Sequence, residues 1–85
     1  MGHEFNAGQF SEVWGNLPVR VRKVIRDFAQ YPTERNKCYV VGYLAAANDS
    51  GATDADQHSY LTALVGRLRH SEVIRDAVKA GRLSY

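Results

Sequence analysis

Few residues in this sequence are of types that catalyse reactions, and their spacing does not bring them together. The single cysteine, Cys38, lies in an apolar run, where a thiol is expected to be buried and inert. His58 and His70 are the bases that would activate it, but no local motif links them to it. These residues and His3 also lack the closely spaced ligand pairs of zinc sites. We therefore predict that Cys38 is a packed small hydrophobic residue and that the chain holds no metal.

The pair of carboxylates Asp54 and Asp56 is better suited to a helix start than to catalysis. Glycosidase chemistry needs two carboxyl groups that face each other across a cleft, whereas these two lie in one predicted helical turn. Acidic residues in a first turn offset the helix dipole. No glycine-rich phosphate loop is present either. We predict that the chain is not an enzyme, binds no cofactor and has no small-molecule substrate.

A cluster of basic residues is the stronger candidate for a binding surface. Arg20, Arg22, Lys23 and Arg26 are close in sequence, and on a helix Arg22 and Arg26 stack one turn apart. Such a row can follow a phosphate backbone and contribute sequence-independent affinity. It can equally meet an acidic protein surface or remain solvated. The net charge of +2 is compatible with each of these alternatives.

Tyrosine is the other residue type that suggests binding. The chain of 85 residues has five tyrosines, and Tyr39 and Tyr43 share a predicted helix face. Tyrosine is favoured at protein interfaces because it offers apolar area with a polar tip. The alternative is that the tyrosines ring the core with their hydroxyl groups in water. Tyr39, Tyr43, Arg22 and Arg26 are the predicted contacts to a protein partner.

The elements that must position these residues are predicted to be helices. Six apolar residues fall within an arc of about 140° on a helical projection, as a core-facing helix requires: Leu17, Val21, Val24, Ile25, Phe28 and Ala29. Val19 is the exposed exception. The apolar stripe continues back through Trp14 and Val13 to Phe10. Ser11 is predicted to cap a short preceding helix that includes Glu12, and residues 15–18 separate it from the longer helix; a single kinked helix is the alternative.

Three further helices follow along the chain. Tyr31-Pro32 ends the first long helix, and Thr33 caps the next, whose uninterrupted apolar run 38–47 predicts the central and most buried element. Gly51 is a predicted left-handed turn residue. Thr53 is expected to start the third long helix, Ser71 to cap the fourth, and Gly81 to end it.

Residues 66–78 locally resemble the helix-turn-helix segment of ribbon-helix-helix repressors and antitoxins. The likeness rests on the capping pair Ser71-Glu72 and on Val73-Ile74-Arg75, followed by Ala77. In that family a base-reading strand precedes the first helix, whereas this chain has the acidic turn 51–54 nearby. The resemblance is therefore limited to a capped amphipathic helix, and we assign no family from it.

The length and the composition of the chain fit one small helical domain. A hydrophobic fraction of 45% with 24% charged residues is typical of a folded globule. We predict an all-α bundle of four main helices plus a short N-terminal helix, with residues 1–9 flexible and 82–85 a tail. One cysteine and the lack of an apolar run of about 18 residues favour a cytoplasmic protein without a membrane span.

We expect a protein-interaction module or inhibitor that binds a partner protein or a second copy of itself. The alternative is nucleic-acid binding through Arg20, Arg22, Lys23 and Arg26.

Overall fold

The computed structural model describes residues 12–80, and within that range the chain forms five helices and no β-strand. A short helix, α1, covers residues 12–15 of the described range. The four main helices are α2 (Val19–Gln30), α3 (Glu34–Asp49), α4 (Ala55–His70) and α5 (Glu72–Lys79). The predicted all-α bundle of four main helices plus a short N-terminal helix is thus confirmed. The predictions for residues 1–9, Phe10, Ser11, Gly81 and 82–85 lie outside the described residues.

The four main helices pack as a ring with one diagonal contact. Each helix packs on the next along the chain, α5 returns to α2, and α2 also touches α4 across the middle. The principal extents of 31, 29 and 28 Å are nearly equal. Because α2 and α4 make the diagonal contact, they contribute most of the core.

The apolar stripe of α2 faces the core as its spacing predicts. Val21, Ile25, Phe28 and Ala29 of α2 are buried, as is Leu17 just before the helix, and Val24 is half-buried against them. Val19 is exposed, which confirms it as the exception on this helix. The predicted break before α2 is present at residues 16–18, where the backbone N–H of Leu17 donates to the Trp14 carbonyl.

Side-chain caps fix the starts of α3, α4 and α5. The Thr33 side chain accepts a hydrogen bond from the backbone N–H of Asn36, and the Ser71 side chain accepts one from that of Ile74. Both residues therefore cap helices as predicted. The predicted start of α4 at Thr53 is wrong by one residue, because Asp54 is the N-cap and Thr53 is buried. The Asp54 carboxylate accepts from Gln57 N at 2.7 Å, and the Gln57 side chain accepts from Asp54 N at 2.9 Å. This reciprocal capping box satisfies two backbone donors at once.

The capping box gives a testable difference between the two neighbouring aspartates. We expect Asp54→Ala to lower the free energy of unfolding by about 1 kcal/mol, because a backbone donor loses its acceptor. Asp56→Ala is the matched control: Asp56 lies in the first turn without capping it, so its loss costs about 0.3 kcal/mol. Urea denaturation of both variants measures the difference. Equal losses would contradict the assignment of Asp54 as the cap.

The turn before α4 contains a glycine in the left-handed region. Gly51 has a φ angle of +84°, a conformation that costs other residues strain because of their Cβ atom. Its backbone N–H donates to the Asn48 carbonyl at 3.1 Å. The predicted role of Gly51 as a left-handed turn residue is confirmed.

The predicted position of α3 at the centre of the core is wrong. Only one side of this helix is buried, through Val40, Leu44 and Ala47. The opposite side is exposed, including Cys38, which was expected to be packed. Because α3 packs on α2 and α4 from one side, its uncharged outer residues are left exposed. A run without charges therefore did not indicate burial on all sides.

Candidate functional site

A shallow groove opens between the C-terminal half of α2 and the first turns of α3. We call it the tyrosine groove, and its volume is about 260 Å³. Its floor includes Phe28 and Val40, which are each only 2% exposed. Tyr31 and Tyr39 also line it, and they are 68% and 65% exposed. The complete lining consists of Val24, Asp27, Phe28, Tyr31, Asn36, Tyr39 and Val40. Two accessible aromatic side chains therefore flank a buried apolar floor.

The turn between α2 and α3 sets the position of Tyr31. The Tyr31 carbonyl accepts hydrogen bonds from the backbone N–H of Thr33 and from the Asn36 side-chain amide, both at 2.8 Å. Thr33 in turn accepts from the backbone N–H of Asn36 at 3.2 Å. These bonds tie the end of α2 to the start of α3, so the backbone that carries Tyr31 is held from both helices.

Tyr39 is supported from within its own helix. Its ring centroid lies 6.3 Å from that of Tyr43, with an angle of 37° between the ring planes. This separation is within the range of favourable aromatic pairs. Tyr43 is half-buried and packs against the core, so it braces the exposed ring of Tyr39. The two tyrosines share a helix face as predicted, but Tyr43 does not line the groove.

The arginines of the predicted site lie in a different depression. This second, open groove, which we call the basic groove, has a volume of about 430 Å³. It runs along the other side of α2 and is lined by Trp14, Val19, Arg22, Lys23, Arg26, Asp27 and Gln30. Asp27 borders both grooves. The structure therefore separates Arg22 and Arg26 from the tyrosine groove by the width of α2.

Internal contacts engage part of the basic cluster. Lys23 pairs with Asp27 at 2.8 Å, and Arg26 donates to the Lys79 carbonyl at the end of α5 at 3.4 Å. Arg22 is half-buried, and its Nε atom is enclosed without a hydrogen-bond acceptor among the described residues. Arg20 is exposed and does not line the basic groove. The four cations therefore do not form one uniformly free row.

The residues with catalytic potential are placed as parts of the fold. Asp54 and Asp56 stand at the start of α4, as predicted, with Asp54 engaged in the capping box. His58 is half-buried in the same helix. Within residues 12–80, no three histidine, cysteine, aspartate or glutamate side chains are grouped so that they could hold a metal ion. His3 lies outside the described residues.

The tyrosine groove is shaped for side chains of a protein partner. Its volume is below the roughly 300–1,000 Å³ that small-molecule sites usually enclose. Its lining combines an apolar floor with tyrosine hydroxyl groups at the edge, which suits one or two apolar side chains and a flanking backbone.

Sequence reasoning identified Tyr39 but missed Tyr31 and the floor of the groove. A signal was present, because Val24, Phe28 and Tyr31 follow at intervals of four and three along one side of α2. The turn at Pro32 then folds α3 back alongside that edge. Tyr31 is one of the five tyrosines that suggest binding, but its place at the end of α2 left it out of the predicted contacts.

Comparison with known proteins gives no family for the chain. No protein-family model matches it, and no significant similarity links it to a curated protein or to a solved structure. None of the helices described between residues 12 and 80 combines the length and the apolar character needed to cross a membrane.

Proposed function

We propose that this chain is a small non-enzymatic protein-interaction module or inhibitor that acts in the cytoplasm by binding a partner protein through the tyrosine groove. The observation that carries the proposal is the pairing of Tyr31 and Tyr39, each about two-thirds exposed, with a floor that is almost fully buried. A partner's apolar side chain seated between the tyrosines would displace water from both exposed rings.

The physical properties of tyrosine favour such a contact. Its side chain loses little conformational entropy on binding, buries a large apolar area and keeps a hydroxyl group for hydrogen bonding. Tyrosine is among the residues that dominate binding energies at interfaces. Because Tyr39 is braced by Tyr43 and the Tyr31 backbone is held by Asn36, part of the ordering cost of binding is already met.

The proposal predicts that each tyrosine contributes strongly to capture of the partner. Tyr31→Ala and Tyr39→Ala should each weaken binding by about 30-fold, which corresponds to a loss of about 2 kcal/mol. The measurement is quantitative capture from a lysate of the cells that produce the protein, with wild-type and variant chains immobilised at equal density. Val73→Ala is the matched control, because Val73 is an exposed apolar residue on α5 outside the groove.

The expected result is a protein retained in stoichiometric amount by the wild type and by Val73→Ala, and lost with both tyrosine variants. Circular dichroism of each variant verifies that the helices remain. Equal retention by all four chains would place binding elsewhere and overturn the proposal, as would the absence of any retained protein.

The basic groove supports a second candidate function, nucleic-acid binding. Arg22, Lys23 and Arg26 line it together, so a phosphate backbone could approach three cations at once. Two of them already have acceptors within the chain, which is why we favour the tyrosine groove. A gel shift of duplex DNA at low salt that Arg22→Ala and Arg26→Ala abolish, and that added salt weakens steeply, would reverse this order.

A further inference from the structure

Among residues 12–80, the outer side of α3 is an apolar helix face that no other described segment covers. Between Lys37 and Asp49 the helix carries no charged residue, although half of its circumference faces away from the bundle. The exposed members of this side are Cys38, Tyr39, Val41, Gly42, Ala45 and Ala46, with Tyr39 at the edge next to the tyrosine groove. Exposed sides of surface helices normally carry charged and polar residues, so this side has the composition of a helix contact.

Packing among the described residues gives no reason for a glycine at position 42 on this face. A Cβ atom added there would meet no atom of residues 12–80 within 4 Å, so packing within this range does not require glycine. Within a helix, glycine costs about 1 kcal/mol relative to alanine. Close approach of another backbone is a use of glycine that accounts for this cost.

The charges on the same face define the direction in which another helix would lie. Arg35 and Asp49 each stand seven residues, or about two helical turns, from Gly42. Both are exposed. If a second copy crosses at Gly42 in the antiparallel direction, Arg35 of each chain faces Asp49 of the other. In a parallel pair, Arg35 would face Arg35 of the second copy and Asp49 would face Asp49, so like charges would repel.

We propose that the outer face of α3 pairs with the same face of a second copy, in an antiparallel arrangement with its two-fold axis at Gly42. Two identical contacts then form around the axis, as in any isologous dimer. The face adjoins the tyrosine groove at Tyr39, whereas the α2 residues of the groove, Val24, Phe28 and Tyr31, lie outside it. The contact area is that of one helix pair, so the dimer is expected to dissociate on dilution.

Disulfide trapping tests this geometry directly. In the antiparallel pair Cys38 faces Ala46 of the second copy, so oxidised Ala46→Cys should form a dimer joined by two disulfides. The two native Cys38 residues would lie about 12 Å apart along the helix axis, which is too far for a disulfide bond in the wild type. Val73→Cys, with its new thiol at an exposed site on α5, is the control for random collision.

We expect the Ala46→Cys chain to cross-link at least about tenfold faster than wild type and than Val73→Cys, since a bond needs the paired geometry. Fast cross-linking of the wild type through Cys38 would indicate a parallel pair and overturn the proposal. A rate for Ala46→Cys no higher than that of Val73→Cys would do the same.

A second measurement keeps the test independent of disulfide chemistry. In sedimentation equilibrium, Gly42→Arg should remain monomeric at concentrations where wild type dimerises, while its helix content is retained because the site is open. Arg35→Asp should raise the dimer dissociation constant about tenfold, and adding Asp49→Arg should restore it. A strictly monomeric wild type, or a charge swap without rescue, would overturn the arrangement. Tyr31→Ala should leave this dimer unchanged, so failure of the groove proposal and failure of this one can be told apart.

Discussion

Replacing Phe28 with alanine is expected to lower the free energy of unfolding by about 3–5 kcal/mol. Phe28 is among the largest fully buried side chains, and it lies on α2, which contacts all three other main helices. The substitution leaves a cavity that the surrounding helices cannot close completely. A domain of this length has a total stability of about 4–13 kcal/mol, so the loss is a large part of it.

Urea denaturation followed by circular dichroism measures this effect. Val19→Ala is the matched control on the same helix, because Val19 is exposed and its truncation should change stability by less than about 0.5 kcal/mol. Similar losses for the two variants would mean that α2 does not present its Leu17-to-Ala29 stripe to the core. Because Phe28 also forms the floor of the tyrosine groove, this variant is unsuitable for the binding experiment.

The second large effect concerns α3. Leu44→Ala is expected to lower the free energy of unfolding by about 2–5 kcal/mol, since Leu44 is buried where α3 packs on the bundle. Cys38→Ala should be nearly neutral, within about 0.5 kcal/mol, because its side chain is exposed on the opposite side. Denaturation at a concentration low enough to keep the chain monomeric compares the two. A comparable loss for Cys38→Ala would show that α3 is buried all round.

The sequence was most informative where the hydrophobic period was regular. Leu17, Val21, Ile25 and Phe28 predicted both the existence of α2 and its buried side, and Thr33 and Ser71 predicted helix starts through their capping preference. Along α3 this signal was weak, because alanine, glycine and tyrosine interrupt the contrast between an apolar and a polar side. The side that meets the bundle was decided by packing with α2 and α4, which a single sequence does not display.

The candidate site was predictable only in part, for a related reason. Tyr39 was recognised from residue type, but the groove arises from the approach of two helices around the turn at residues 31–33. The bonds of Asn36 and Thr33 to the Tyr31 carbonyl bring Tyr31 to that edge. Arg22 and Arg26 were grouped with the tyrosines by composition, whereas the helical rotation of α2 places them in the basic groove.

Titration with the captured partner, followed through the backbone amide chemical shifts, tests whether the partner binds at the tyrosine groove. If the partner binds there, the largest chemical-shift changes fall on residues 24–31 and 36–43, which flank the tyrosine groove. The shifts of Val73 and its neighbours on α5 then stay unchanged. Changes concentrated at Arg20, Arg22 and Arg26, with the amides of Tyr31 and Tyr39 unperturbed, would contradict it.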